Sequence, residues 1–443
     1  MPMILLNKNG RPMKRFWNMA LSPKVSCAIE TLPGRLAWRG RHGAGLPAGQ
    51  LWIVLLAGIL LSLFGSGCAG PFSRPGSDGA DSFRMEKNEV MRAMQVDLDY
   101  VYDPDHGQEE KNLRLLLERV RKLGVNTVLL QAFADPDGND GAEELYFPNR
   151  HLPVRGNLFA RTAAALRKTG VRVYAWMPLL AFDLGPDESD LLIRQMATNT
   201  AESGRAPRLS PFHPRARRII REIYEDLARH ASFDGILFHD DSVLSDYEDA
   251  SPAALAAYRQ AGFPADLAAL RSRPDQMYRW SRFKTRYIID FSLSLVRLLR
   301  KQHPGLRSAR AIYGRAILQP ESEAWLGQSL PLFLQAYDYS VILAMPYLEK
   351  ASNHENWLAE LADRALFQAL RSGSLVFELQ TVNWWRKEKI PTPVILRQID
   401  LLRRHGVVSF AYYPDDFFHD HPRSSPLNRA MKKERCQHPG GWF

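Results

Sequence analysis

The chain has 443 residues with a formal net charge of +10, but residues 1–67 hold three Lys, five Arg and one Glu and account for +7 of it. The remaining part carries only about +3, which argues against a nucleic-acid-binding protein because such domains present a basic stripe. Three cysteines, with no CxxC or Cys/His cluster, exclude a disulfide framework and structural zinc.

The first 67 residues are typical of an export leader. The uncharged run LWIVLLAGILLSLF at 51–64 suits a signal-peptide core and is short for a membrane span. Gly65-Ser66-Gly67-Cys68 follows and resembles the lipobox of bacterial lipoproteins, so Cys68 is predicted to be lipidated after cleavage; a plain signal anchor is the alternative. Residues 68–90, rich in Gly, Ser and Pro, are predicted to form a flexible tether.

From residue 91 to 425 one pattern recurs, in which a short apolar run ends in polar residues and an amphipathic helical segment follows. Eight such units predict a (β/α)8 barrel, whereas a doubly wound sheet would favour a Gly-rich loop after its first strand. The long segment 242–307 predicts extra helices after strand four, and residues 426–443 are assigned to a tail. The predicted strands are 93–99, 125–133, 171–179, 233–241, 308–314, 339–346, 374–380 and 407–414.

In such barrels the active site lies where the strands end. Carboxylates and aromatic residues dominate these positions, which suits a sugar polymer better than a phosphorylated substrate because rings stack on sugars and carboxylates accept from hydroxyls. The candidate substrate-binding residues are His239, Asp97, Asp99, Tyr100, Gln131, Asp135, Trp176, Tyr347, Trp384, Tyr412 and Asp415. Phe133, Tyr313, Gln380 and Tyr413 also lie at strand ends.

Two adjacent acids at the end of strand four, Asp240 and Asp241, are the candidate catalytic residues. Glycoside hydrolysis uses one protonated and one ionised carboxyl group, and like charges close together raise one pKa. Glu378, inside the apolar run VFELQ, and Asp97 are candidates for the second carboxylate. Alternation along a strand allows one aspartate to face the cleft while the other binds loop amides, and both could instead form a turn or helix cap.

Further alternatives concern single residues. His239 is either a core histidine or a ligand-facing one, and alternation lets only one of Tyr412 and Tyr413 enter the barrel. Asp246, Glu248 and Asp249 are interpreted as surface charges or caps, with a helix starting at Pro252. No HExxH spacing is present, and neither a metal site nor a cofactor is predicted.

Several motifs between residues 90 and 425 resemble one known family. These include MQVDLDYVYDPD, QAFADPDGN, VYAWMPLLAFDL, GILFHDDSVLSDYEDAS, FELQTVNW and YYPDDFFHDHP. They are similar to the C-terminal glycoside-hydrolase domain of the poly-β-1,6-N-acetyl-D-glucosamine (PNAG) N-deacetylases, outer-membrane lipoproteins of biofilm export systems. The resemblance implies a (β/α)8 barrel whose FHDD acids, here Asp240 and Asp241, line a glycan cleft, with Trp384, Tyr347 and Glu378 at subsites.

The family's full-length members carry a deacetylase domain before this one. No TFDD or HxxxH motif occurs in the sequence, so deacetylation by that mechanism is not expected from this chain. The resemblance instead implies an endo-glycosidase for partially de-N-acetylated PNAG, lipid-anchored at the periplasmic face of the outer membrane beside a separate deacetylase or export porin. A non-catalytic PNAG-binding module and a hydrolase for another amino-sugar polymer are the alternatives.

Overall fold

Eight parallel strands form the centre of the structure. The computed structural model describes residues 89–136, 138–139, 141–196, 206–369 and 372–433. Each strand pairs in parallel with the next one along the chain, which confirms the predicted sheet. We label these strands β1 (Ala93–Val96), β2 (Thr127–Gln131), β3 (Arg172–Met177), β4 (Gly235–Phe238), β5 (Arg307–Tyr313), β6 (Tyr339–Ala344), β7 (Leu375–Gln380) and β8 (Ser409–Tyr413).

The sheet closes on itself where β8 meets β1. The amide of Phe410 donates to the Met91 carbonyl at 2.9 Å, and the amide of Met91 donates to Ser409 Oγ at 2.9 Å. A parallel bridge also joins Arg92 to Phe410. The fold is therefore a (β/α)8 barrel, as predicted, and not an open doubly wound sheet.

Helices cover the outside of the barrel. They are α1 (His106–Leu123), α2 (Phe159–Arg167), α3 (Pro214–His230), α4 (Pro252–Gln260), α5 (Leu267–Arg271), α6 (Pro274–Arg300), α7 (Gly314–Leu318), α8 (Glu323–Leu326), α9 (Leu330–Ala336), α10 (His354–Gln368), α11 (Thr392–Arg404) and α12 (Ser424–Lys432). Helix α1 ends at Gly124, whose positive φ of 60° lets its amide reach the Val120 carbonyl, as expected of a helix C-cap glycine.

Helices α4 and α5 lie between β4 and the long helix α6, which confirms the extra helices predicted after strand four. Helix α4 begins where predicted, because Ser251 caps it by accepting from the Ala254 amide and Pro252 occupies its first turn.

The amino end of the barrel is filled by aromatic rings. Tyr174 of β3 and Tyr339 of β6 meet edge to face there, with centroids 6.4 Å apart. A Cβ on Gly235, the first residue of β4, would lie 2.3 Å from the Tyr174 ring, so this glycine makes room for it. With this end plugged, side chains that line an open pocket are found at the carboxyl ends of the strands.

The folded domain extends past its predicted boundary. Helix α12 continues to Lys432 and buries Leu427 and Met431 against the barrel, so the predicted end at residue 425 is seven residues too early (432 − 425). The leader, most of the tether, Cys68 and residues 434–443 lie outside the described residues. Within the described part, no helix has the length and apolar character needed to cross a membrane.

Candidate functional site

A pocket opens at the carboxyl ends of the strands. Its polar lining consists of Gln95, Gln131, Asp135, His239, Asp240 and Glu378. Its aromatic and apolar lining consists of Phe133, Trp176, Tyr413, Leu237, Ala311, Leu343 and Met345. Neither Lys nor Arg is among these lining residues, so the pocket is suited to neutral or cationic ligands and not to phosphates.

Trp176 lies at the centre of an aromatic cluster in the pocket. Its ring centroid is 5.2 Å from that of Phe133, 5.2 Å from that of His239 and 5.5 Å from that of Tyr413, each edge to face. Trp384 is half-buried and also packs against Tyr413, with ring centroids 6.2 Å apart. Edge-to-face packing fixes these rings and provides a rigid wall for a sugar.

Asp240 is buried but incompletely hydrogen-bonded. One oxygen pairs with His239 Nδ1, and the Tyr313 side chain also bonds the carboxylate. Within the described residues, Oδ2 has no hydrogen-bond partner. Burial raises the pKa of Asp240, but electrostatic attraction to His239 and the hydrogen bonds from His239 and Tyr313 outweigh burial and hold the pKa below its ordinary value. Asp240 is therefore ionised and has an oxygen available to a ligand.

Asp241 has a different environment. Its carboxylate accepts from the consecutive amides of Leu179 at 2.9 Å, Leu180 at 2.5 Å and Ala181 at 2.8 Å. These bonds hold the loop that follows β3. A direct catalytic role for Asp241 does not fit this geometry, because both oxygens are used by backbone donors; of the two aspartates, only Asp240 lines the pocket.

Glu378 is the second carboxyl group in the pocket. It lies on β7, is 2% exposed, and its Oε1 has no hydrogen-bond partner among the described residues. Burial, and next the charge of Asp240, raise the pKa of Glu378 to about 8. At neutral pH it is protonated and able to donate. Asp240 directly follows the end of β4 and Glu378 lies on β7, with β5 and β6 between these strands, and both side chains line the same pocket.

The predicted acids that follow β1 lie beside the pocket. Asp97 accepts from Tyr413 Oη at 3.1 Å, while its other oxygen has no partner in the described part. Burial and the nearby Asp99 raise the pKa of Asp97 well above its ordinary range. Asp99 accepts from Tyr146 Oη at 2.6 Å, and its amide donates to Gln131 Oε1 at 3.4 Å.

Other predicted binding residues lie at the rim. Tyr100 and Tyr347 are half-buried, and neither contributes to the lining of the pocket. The amide of Tyr347 donates to Gln380 Oε1 at 3.0 Å, and the centroids of the Tyr347 and His354 rings are 4.1 Å apart. Asp135 does line the pocket and accepts from the Asn139 amide at 2.9 Å.

Tyr412 and Asp415 are not in the pocket, contrary to the prediction. Tyr412 points away from the barrel interior and donates to Asp415 Oδ1 at 2.8 Å. Asp415 also pairs with the buried Arg119 of α1 at 2.8 Å. Alternation along β8 sends Tyr413 inward in place of Tyr412. These two residues hold the loop after β8 against α1.

The acids that follow Asp241 fix the loop after β4. Glu248 and Asp249 are buried, so their interpretation as surface charges is wrong. Glu248 pairs with Arg208 at 2.7 Å, and Asp249 accepts from Ser210 Oγ at 2.5 Å. Lys284 of α6 also binds this loop, because its Nζ donates to the carbonyls of Leu244, Ser245 and Glu248.

Sequence reasoning missed Gln95 and the apolar floor of the pocket. Gln95 lies on β1 two residues before the predicted Asp97, and alternation along a strand puts residues at this spacing on one face, so the spacing was a usable signal. Leu237, Ala311 and Leu343 carry no such signal, because core residues look alike whichever side of the barrel they face. In the described ranges, no group of three or more His, Cys, Asp or Glu side chains is arranged to hold a metal ion.

Comparison with known proteins agrees with this geometry. The profile of hypothetical glycosyl hydrolase family 13 matches residues 95–413. The poly-β-1,6-N-acetyl-D-glucosamine N-deacetylases of Escherichia coli strains K12 and O157:H7 are each 42% identical over 349 residues, covering 76% of this chain and 52% of the relative. The chain thus spans about half the length of these curated relatives.

Solved structures show the same relationship. The PgaB (BpsB) glycoside hydrolase domain from Bordetella bronchiseptica is 44% identical, with a TM-score of 0.75, over 77% of this chain and 99% of that one. The α-L-fucosidase isoenzyme 2 from Paenibacillus thiaminolyticus shares only the fold, at 14% identity and a TM-score of 0.55 over 77% of this chain and 49% of that one. The chain belongs to hypothetical glycosyl hydrolase family 13 and is a glycoside hydrolase domain of the PgaB type.

Proposed function

We propose that this glycoside hydrolase cleaves partially de-N-acetylated poly-β-1,6-N-acetyl-D-glucosamine within the chain. The observation that carries the proposal is a pair of buried carboxyl groups, Asp240 and Glu378, that line one pocket and each keep an oxygen without a partner in the described structure. A buried carboxyl oxygen without a hydrogen bond destabilises a fold, so a ligand that completes its bonding accounts for its presence.

The two groups are prepared for opposite proton roles. Glu378, protonated at neutral pH, donates its proton to the glycosidic oxygen as the C1–O bond breaks. Asp240, ionised, accepts the proton of the water that adds to C1, or orients an N-acetyl group that attacks C1 in its place. Environments that push two carboxyl pKa values apart are the usual basis of acid and base assignment in glycosidases.

The pocket lining supports a partially deacetylated polymer as the substrate. Removal of acetyl groups exposes amines, which are cationic at neutral pH. Asp135 and the ionised Asp240 line the pocket, and the lining contains no Lys or Arg. Trp176, Tyr413 and Trp384 supply ring faces and edges at the wall and rim. The names of the Escherichia coli relatives point to the same polymer.

The test is product analysis on purified polymer. The protein is incubated with partially deacetylated PNAG, fully acetylated PNAG and a β-1,4-linked glucosamine polymer, and short oligomers are sought by mass spectrometry. We expect oligomers only from the partially deacetylated β-1,6 polymer and none from Asp240→Asn. Polymer retained without products would mean a binding module, and cleavage of the β-1,4 polymer alone would refute the substrate.

We also propose that Cys68 carries the protein at the periplasmic face of the outer membrane, beside a separate deacetylase or export porin. The apolar run at 51–64 and the small residues before Cys68 support this. Labelled fatty acid should be incorporated into the exported wild-type chain and not into Cys68→Ala. Equal incorporation into both chains would exclude lipidation at this cysteine.

A further inference from the structure

The amino face of the barrel, where strands begin and helices end, is rich in basic residues. Six helices that run antiparallel to the strands carry Arg or Lys in their last turn. These residues are Arg121, Lys122, Arg167, Arg229, Arg297, Arg300, Arg403, Arg404, Arg429 and Lys432. Cations at helix C-termini stabilise the helix dipole, which accounts for one basic residue at each end. It does not account for a continuous basic surface.

The helix ends on one side of this face contact one another. Asn428 Nδ2 of α12 donates to the carbonyl of Lys122 at the end of α1, at 2.7 Å. Arg403 Nη2 at the end of α11 donates to the Ala430 carbonyl of α12, also at 2.7 Å. The basic ends of α1, α11 and α12 therefore form one surface.

The other side of the face is joined in the same way. Arg167 at the end of α2 pairs with Asp234, the residue before β4, at 3.1 Å. His303, just after α6, contacts the Ala228 carbonyl near the end of α3 at 3.2 Å. The ends of α2, α3 and α6 thus continue the surface around the barrel.

Part of this positive charge is neutralised and part is not. Asp234, Asp338 and Asp400 pair with arginines of the face. Eight exposed cations of this face have no carboxylate partner within the described residues: Arg121, Lys122, Lys168, Arg297, Lys301, Arg429, Lys432 and Lys433. The pocket at the opposite end of the barrel is lined by carboxylates, so the molecule is electrically polarised along the barrel axis.

The amino-terminal segment reaches the barrel at this same face. The Glu89 carbonyl accepts from Tyr339 Oη at 3.2 Å, and the Glu89 carboxylate pairs with Arg172 at the start of β3. The Val90 carbonyl accepts from Asn126 Nδ2 at 2.8 Å, just before β2. Cys68 lies 21 residues upstream (89 − 68), and the tether that the sequence predicts between them would span about 25 Å on average.

We infer that the amino face is a docking surface for anionic lipid headgroups, which turns the carboxylate-lined pocket away from the membrane. The inference uses the anchor proposed above for proximity, but its charge argument stands independently. Each Lys or Arg near an anionic bilayer strengthens partition by roughly fivefold, and the effect falls with salt. An acidic pocket mouth would be repelled by the same surface, so both ends of the barrel favour one orientation.

The test compares two variants of the full chain that lose the same charge. The face variant carries Arg121→Gln, Lys122→Gln, Lys168→Gln and Lys301→Gln. The control variant carries Arg218→Gln, Arg221→Gln, Arg259→Gln and Arg279→Gln, exposed arginines that are not at the amino-face helix ends. Each is sedimented with phosphatidylcholine vesicles and with vesicles containing phosphatidylglycerol, at low and high salt. Thermal unfolding in solution checks that both variants are folded.

We expect phosphatidylglycerol to strengthen binding of the wild type and the control variant at low salt, and the face variant to bind at least about tenfold more weakly. Hydrogen exchange of the bound wild type should slow at residues 229–234 and 301–306 and stay unchanged around the pocket. Equal loss in both variants, no preference for phosphatidylglycerol, or protection of the pocket rim would overturn the inference. So would binding to soluble heparin without binding to these vesicles. Equally strong binding to both kinds of vesicle would mean that the anchor, and not the amino face, binds the membrane, and would also overturn the inference.

Discussion

Two sets of buried carboxylates in this barrel differ in how fully they are hydrogen-bonded. In and beside the pocket, Asp97, Asp240 and Glu378 each keep one oxygen without a partner in the described structure. Asp241 and Asp415, which do not line the pocket, have both carboxylate oxygens hydrogen-bonded. Asp241 accepts from three backbone amides, and Asp415 accepts from Arg119 and Tyr412.

The two sets contain the same kinds of residue, so only their hydrogen bonding distinguishes them. We assign the incompletely bonded carboxyl groups to the functional site and the fully bonded ones to support of the fold. A fully bonded carboxylate stabilises the fold, whereas a buried one with a free oxygen costs stability and is retained where a ligand completes it. The pocket pair also diverges in pKa, with that of Asp240 lowered and that of Glu378 raised to about 8. The following predictions test whether this division holds.

The largest effect is expected from Asp240→Asn compared with Asp241→Asn. Asp240→Asn removes the ionised group of the pocket, so kcat/KM on partially deacetylated PNAG should fall by roughly 10³-fold with a modest loss of stability. Asp241→Asn replaces an acceptor of three amides with a group that has one acceptor oxygen. Its free energy of unfolding should fall by about 3 kcal/mol, measured by denaturant titration.

The opposite pattern would contradict this division of roles. An Asp240→Asn protein that still cleaves the polymer, or an Asp241→Asn protein that is fully stable and inactive, would place the chemistry on Asp241. Polymer-binding measurements on folded Asp240→Asn distinguish loss of catalysis from loss of the site.

The fold could be predicted largely from the sequence. Eight apolar runs separated by helical patterns define a parallel sheet, and seven of the eight observed strands lie wholly inside the predicted runs. The exception, β5, begins one residue earlier, at Arg307. The boundary at residue 425 failed because α12 buries only a few apolar side chains, which is a weak signal.

Which side chains enter the pocket was harder to predict. Alternation from Leu237 turns His239 and Asp241 inward, but β4 ends at Phe238, and beyond it Asp240 lines the pocket beside His239 while Asp241 does not. On β8 alternation does persist through Tyr413, and the choice of Tyr412 was wrong because the register was unknown. Glu378 pairs in register with Ala411, two residues before Tyr413, and only the assembled barrel shows this.

The next effect concerns the pH dependence set by Glu378. Because its pKa is raised to about 8 from an ordinary 4.5, the group is protonated at neutral pH, and activity should fall as pH rises through about 8. Glu378→Gln should lower kcat/KM by about 10²-fold and abolish this alkaline decline. A pH–rate profile of kcat/KM for both proteins is the measurement.

The free energy of unfolding should also depend on the protonation of Glu378. A raised folded pKa means that the free energy of unfolding is highest when the group is protonated in both states, and that it falls as pH rises from about 4.5 to about 8. Glu378→Gln should reduce this slope. Glu349→Gln, at a buried glutamate whose pKa is also raised by burial but which pairs with Arg315, is the control and should keep the alkaline decline in activity. An unchanged decline in Glu378→Gln would assign the proton to another group.

The smallest effect separates the two neighbouring tyrosines of β8. Tyr413→Phe removes the hydrogen bond to Asp97 beside the pocket, and a net contribution of about 1 kcal/mol predicts a roughly fivefold fall in kcat/KM. Tyr412→Phe removes the bond to Asp415, which still pairs with Arg119, so the free energy of unfolding should fall by about 1 kcal/mol with kcat/KM unchanged. Each variant controls for the other, since both lose one buried hydroxyl. If Tyr412→Phe alone slowed cleavage, Tyr412 and not Tyr413 would belong to the active site. The distinction between pocket carboxylates and supporting carboxylates would then be wrong.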